Sequence, residues 1–225
     1  MSHPLDAPVW HALTTRLAPL ASGDGDARRI DPDHGLFAAL APGARPDGAA
    51  LAALVAPGET IGLIEVAPAA TLPGFHCTSR AACLQMIAET PVAAPDNAGI
   101  LPLGEDDAAE MLALATLTRP GPFFRRTHRF GGFVGMRSGG RLVAMAGTRL
   151  ALPGFREISG VCTHPDHRGG GKAARLIASV ATAIRAAGDV PFLTSYADND
   201  GAIALYRRLG FTPRATLRFH LFARV

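Results

Sequence analysis

Lysine is nearly missing from this chain of 225 residues; Lys172 is the only one, and arginine supplies the rest of the positive charge. The net charge is only +3, too small a surplus to indicate a nucleic-acid partner. Cysteine is scarce as well. Cys77, Cys83 and Cys162 are an odd number at no metal-ligand spacing, which argues against a disulfide framework and a zinc site and is expected of a chain in a reducing cytoplasm. No apolar run escapes interruption by proline, glycine or charge, so no membrane span is expected. The N-terminus lacks the basic-then-apolar pattern of a signal peptide, and no internal repeat is visible. What is present is apolar bulk: 48% of residues are hydrophobic and 18% charged, the balance of a soluble globular chain with a sizeable core.

Pattern divides the chain in two. Residues 1–95 read as a small α/β domain with little chemistry. Asp6 is placed to cap a helix from Pro8, with Trp10, Leu13 and Leu17 at helical spacing. Thr60–Val66 alternates as a strand does, and Ser79 is expected to cap a helix holding Cys83, Leu84 and Ile87. Pro91–Asn97 has the composition of a linker. From residue 96 the pattern is denser. A short strand at Ile100–Leu103 precedes a helix with Asp106 and Asp107 in its first turn. A hairpin turns at Ser138-Gly139-Gly140, and strands follow at Glu157–Thr163 and Val190–Ala197. The last segment alternates through Leu217, Phe219 and Leu221.

Arg168-Gly169-Gly170-Gly171-Lys172-Ala173 lies where the strand ending at Thr163 turns into a helix with Leu176, Ile177, Val180 and Ile184 on one side. Glycine allows a sharp turn and close approach of a ligand. The first amides of a helix lack internal partners and carry positive potential. Together they make an anion site from backbone, with Arg168 and Lys172 as added charge. A nucleotide P-loop does not fit, because Asp166 stands where its first glycine belongs and Ala173 follows the lysine. A second constellation lies downstream: Asn199, Ala202 and Tyr206 share one helix face, and Leu209-Gly210-Phe211 closes that helix.

In this order and at this separation, the two motifs resemble those of the GNAT superfamily of acetyl-CoA-dependent N-acetyltransferases, over about residues 98–225. The resemblance implies a mixed α/β fold, a central, mostly antiparallel sheet flanked by helices. The first half would then be a degenerate copy of that fold or a cap of its own. Coenzyme A is expected to set its pyrophosphate on the amides of Gly169, Gly170, Gly171, Lys172, Ala173 and Ala174 beside Arg168. Its pantetheine arm would run along Val161, Cys162 and Thr163, in a gap opened against Val190–Ala197, with Asn199 and Ala202 beside it. An amine would attack the thioester directly, its carbonyl polarised by a backbone N–H near Val161 and its thiolate protonated by Tyr206. Glu157 is the candidate base; a strand-edge charge with a water chain in its place is the alternative. No metal is expected. The acceptor is expected to be a small-molecule or peptide amine. Phe123, Phe124, Arg125, Arg126 and His128 occupy the position of an acceptor-binding loop, which would suit an acidic or aromatic acceptor; solvated surface arginines are the other reading. The residues leave open the acceptor, the acyl length and whether the chain forms a homodimer. A non-catalytic acyl-CoA-binding module is the other reading.

Overall fold

The helix expected at 79–87 is a strand, and the whole sheet is assembled around it. The computed structural model describes residues 3–45, 48–90 and 97–225. Its strands are β1 (Ala21–Ser22), β2 (Ala27–Ile30), β3 (Ala38–Leu40), β4 (Thr60–Glu65), β5 (Phe75–Ile87), β6 (Leu101–Pro102), β7 (Val134–Ser138), β8 (Arg141–Leu152), β9 (Phe155–Thr163), β10 (Val190–Tyr196) and β11 (Thr212–Arg224). The helices are α1 (Pro8–Leu13), α2 (Ala49–Ala52), α3 (Ala108–Thr118), α4 (Lys172–Ala186) and α5 (Asp200–Arg208). Eight strands join in the order β4-β11-β5-β10-β9-β8-β7-β6, and β1–β3 form a small sheet of their own. All neighbours in the large sheet are antiparallel except β9 and β10, which run parallel.

β5 is hydrogen-bonded on both flanks, to β10 over Cys83–Ile87 and to β11 over most of its length. Cys83, Leu84 and Ile87 suit a helix face by spacing alone. With a partner on each side, the strand's alternation wins: Cys83 and Ile87 enter one core, Met86 the other. Ser79 caps nothing and stands opposite Leu221. Nor does Asp6 cap α1, whose N-cap is Ala7 without a side-chain bond. Asp6 instead accepts from the His3 amide at 3.1 Å and pairs with Arg214.

The linker expected at 91–97 lies outside the described residues except for its last, Asn97. The sheet itself runs across the expected boundary, since β5 from the first half separates β10 from β11 of the second. Gln85 pins the halves together in the interior. Its amide donates to the Leu5 carbonyl at 3.0 Å and its oxygen accepts from Arg214 at 2.7 Å. One face of the sheet packs Leu5, Val9 and Leu13 from the N-terminal segment against Phe192, Leu217 and Phe219. The other face packs α4 and α5, through Leu176, Ile177, Val180 and Ile203, against Met86, Ile158 and Leu193. Phe192 and Leu193, adjacent in β10, thus serve opposite cores. Among the described residues no helix is long and apolar enough to cross a membrane.

Glu65 at the end of β4 carries a cost. Arg218 stands opposite it in the ladder, but no ion pair joins them, and burial raises the Glu65 carboxyl to about 7 from an ordinary 4.5. The folded protein therefore keeps this proton where the unfolded chain has released it. The stability gained below about pH 4.5 is lost as pH climbs through 7. Glu65→Gln is expected to stabilise the protein by about 1–2 kcal/mol at pH 8, less than the full shift would give because the side chain is partly solvated. At pH 4 it should change little. Urea unfolding at the two pH values checks both.

Candidate active site

β9 and β10 pair only over Phe155–Glu157 and Val190–Phe192. Beyond Glu157 the strands part, while β9 stays on β8 and β10 stays on β5. The gap opens a cavity of about 910 Å³ that runs along Ile158–Thr163 on one side and Leu193–Tyr196 on the other. Its floor is shaped by a bulge. Ser159 pairs with Gly147 and Cys162 with Met145, so Gly160 and Val161 together face the single residue between. Gly160 has φ +64°, and a Cβ there would lie 2.9 Å from the Phe133 ring. Only glycine satisfies both conditions.

At one end the cavity meets the glycine turn. Gly169 and Gly171 have φ of +82° and +68°, and Gly171 is the N-cap of α4 with no side-chain bond to its first amides. A 15-residue helix therefore points uncapped N–H groups at the cavity. Lys172 is folded back, its ammonium 3.3 Å from the His167 carbonyl, and the Arg168 guanidinium lies 3.4 Å from the Thr163 carbonyl. Every residue from His167 to Ala174 lines the cavity, as do Val161, Cys162 and Thr163.

α5 supplies the adjoining wall. Asn199 caps this helix, its side-chain oxygen accepting from the Ala202 amide at 3.2 Å, which leaves its NH₂ free to donate. Asn199, Ala202, Leu205 and Tyr206 all line the cavity. The Tyr206 ring packs edge-on to Phe211 at 6.4 Å, and burial pushes its phenol above the usual tyrosine value. Cys162 is buried with its thiol pushed up to about 11, which keeps it protonated and unsuited to nucleophilic attack at neutral pH.

Glu157 is placed differently from a free base. It is 1% exposed and absent from the cavity lining, and both its oxygens accept from Arg149, through Nε and Nη2, at 2.8 Å each. Arg149 is the partner that reaches the cavity, with its guanidinium 4.7 Å over the Phe37 ring. Phe37, Ile64, Cys83 and Phe219 complete an apolar chamber beside it. Spacing along the chain marks Phe219 only as one face of a strand and does not mark Phe37 or Ile64 at all; the lone arginine within the apolar run of β8 is the one local sign of Arg149. The loop expected to hold the acceptor makes ion pairs at the surface. Arg125 and Arg126 pair with Asp33 at 2.6 and 3.6 Å, His128 lies 3.2 Å from Glu105, and none of them lines the cavity. Thr118–Pro122, just before that loop, does line it.

Comparison with known proteins bears on this geometry. The family model of FR47-like proteins matches residues 133–219. The chain is 46% identical to a putative acetyltransferase of the GNAT family from Novosphingobium aromaticivorans DSM 12444, with a TM-score of 0.94 and all of both chains covered. A GCN5-related N-acetyltransferase from Kribbella flavida shares the fold at 23% identity and a TM-score of 0.66, covering 99% of this chain and 96% of that one. The N-alpha-acetyltransferase RimI of Mycobacterium tuberculosis (strain ATCC 25618 / H37Rv) is 42% identical over 82 residues. That stretch is 35% of this chain and spans about half the length of that relative, 51%.

The left-handed turn generates a direct test. Gly171→Val places a β-branched side chain at φ +68°, a strain of about 1–3 kcal/mol that the turn relieves only by moving its amides. Affinity for coenzyme A, the ligand expected at this turn, should fall about tenfold or more by titration calorimetry. The melting temperature without ligand reports whether the fold is retained.

Proposed function

The chain belongs to the GNAT family of acetyltransferases, and from that premise we propose that it transfers an acetyl group from acetyl-CoA to an amine, with both substrates bound together. One observation carries the reading. A single cavity joins the glycine turn, the parted strands and the chamber around Arg149, so donor and acceptor can meet without a covalent relay. Acetyl-CoA supplies the activated acyl group as a thioester.

The chain's own residues divide the work. The uncapped amides of α4, with Arg168 and Lys172, bind the anionic end of the donor. The Asn199 NH₂ and the free edge of β9 hold its arm. The bulge at Gly160–Val161 takes backbone out of the ladder, and the Val161 N–H is assigned to the carbonyl oxygen, where negative charge develops. Tyr206 holds a proton on its phenolic oxygen for the sulfur that leaves. Its raised value suits it, since the hydroxyl remains protonated through neutral pH. Glu157, held by Arg149 on both oxygens, acts by fixing that guanidinium, and the amine releases its proton to water. The first 95 residues contribute the far wall through Phe37, Ile64 and Cys83.

Tyr206→Phe keeps the ring against Phe211 and removes the proton. Turnover measured by free-thiol release is expected to fall about 100-fold or more, as for loss of a general acid, while KM for acetyl-CoA stays within about twofold. Unchanged turnover would remove Tyr206 from this role.

A further inference from the structure

The chamber beside the parted strands contains a charged group with unused donors. Arg149 offers five N–H donors, of which Glu157 takes two. Among the described residues no acceptor meets Nη1, and the side chain is about nine-tenths buried, at 11% exposure, with its remaining edge on the cavity. Phe37 covers one face of the guanidinium. Ile64, Phe219 and Cys83 line the space beside it.

The charge balance of this place decides what fits. Arg149 and Glu157 cancel, and both are buried. Arg119 and Asp198, of opposite sign, are exposed and therefore screened. A second carboxylate on Arg149 would be a net buried charge, which is costly even in contact with a guanidinium. An amine with no polar neighbour would leave the Arg149 donors unmatched. A neutral carbonyl oxygen satisfies them with no surplus charge. We propose that Arg149 binds an amide carbonyl next to the reacting nitrogen, so that the acceptor is an α-amino amide with an apolar side chain, as a free amino-acid amide or as the first residue of a peptide. The side chain lies against the cavity wall that Phe37, Ile64 and Phe219 form. Glu157 is the positioning residue that holds the guanidinium and neutralises it. The proposal rests on the transferase reading above and narrows its acceptor.

The test uses matched acceptors with alanine, leucine and phenylalanine side chains: the amino-acid amide, a carboxamide-blocked dipeptide, the free amino acid and the plain amine. Values of kcat/KM are compared per unit of unprotonated amine, because the amines differ in basicity. At least one amide should exceed both its free acid and its plain amine by about tenfold or more, and the blocked dipeptide separates a peptide acceptor from a small amide. Glu157→Gln leaves Arg149 with net positive charge, and should reduce the amide-to-acid ratio about tenfold, mainly through KM. The double variant Arg149→Met with Glu157→Met buries no lone charge and should lose the preference of amide over amine while still gaining thermal stability from coenzyme A. Free acids or plain amines used as well as amides, or a ratio unmoved by Glu157→Gln, would overturn the proposal. So would a protein that coenzyme A stabilises but that no acceptor of the series serves as substrate or stabilises further. A folded protein that coenzyme A fails to stabilise would instead defeat the transferase reading itself.

Discussion

β9 and β10 part after three residues, and the cavity, its walls and the packing on both faces follow from that divergence. A sheet normally pairs its strands along their length, because each unpaired backbone group in the interior is costly. Here the pairing ends after Glu157 and Phe192, and backbone groups of Ile158–Thr163 and Leu193–Tyr196 border a cavity instead. The gap can persist because each strand keeps its other neighbour, β8 for one and β5 for the other. The gap also suits the proposed donor, whose extended polar arm would take up the pairing that the strands give up.

The Arg149–Glu157 pair sits at the point of divergence. Glu157 is the last β9 residue in the parallel ladder, opposite Phe192, and its carboxylate ties β9 to β8 through Arg149. A buried ion pair is not in itself a strong source of stability, but removing one partner is costly because the other charge is left without compensation. The pair therefore has two effects in one place. It anchors the strand where the sheet begins to open, and it presents the outer edge of a neutralised guanidinium to the chamber. Chemistry and architecture meet in these two side chains.

The first half of the chain owes its position to the same sheet. β5 completes the pairing of β10 and so permits the gap on the other side of that strand. Phe37 and Ile64 then close the chamber from the face that α4 and α5 leave uncovered. The clasp between Asp33 and Arg125 with Arg126, together with the Thr127 hydroxyl donating to the His34 carbonyl at 2.8 Å, holds this segment against the loop after α3. The arginines of that loop, which along the chain suggest an acceptor site or solvated charge, thus also tie the two halves together.

Legibility followed the range of the forces involved. The glycine turn, α4 with Leu176, Ile177, Val180 and Ile184 on its buried side, and the Asn199–Tyr206 face of α5 are local features. Each depends on residues within a few positions of one another, so all three can be read along the chain, and the proposed place of the donor rests on them. β5 went the other way. Its spacing satisfies helix and strand alike, and only partners from residues 190–196 and 212–224 decided between them. Glu157 likewise reads as a candidate base along the chain, until Arg149 takes both its oxygens. The chamber around Arg149 is wholly a product of tertiary structure: Phe37, Ile64, Arg149 and Phe219 lie on four separate stretches, and no local periodicity could join them. Helix capping and glycine turns act over a few residues of backbone, whereas strand pairing, burial and ion pairing join residues that only the folded sheet brings together.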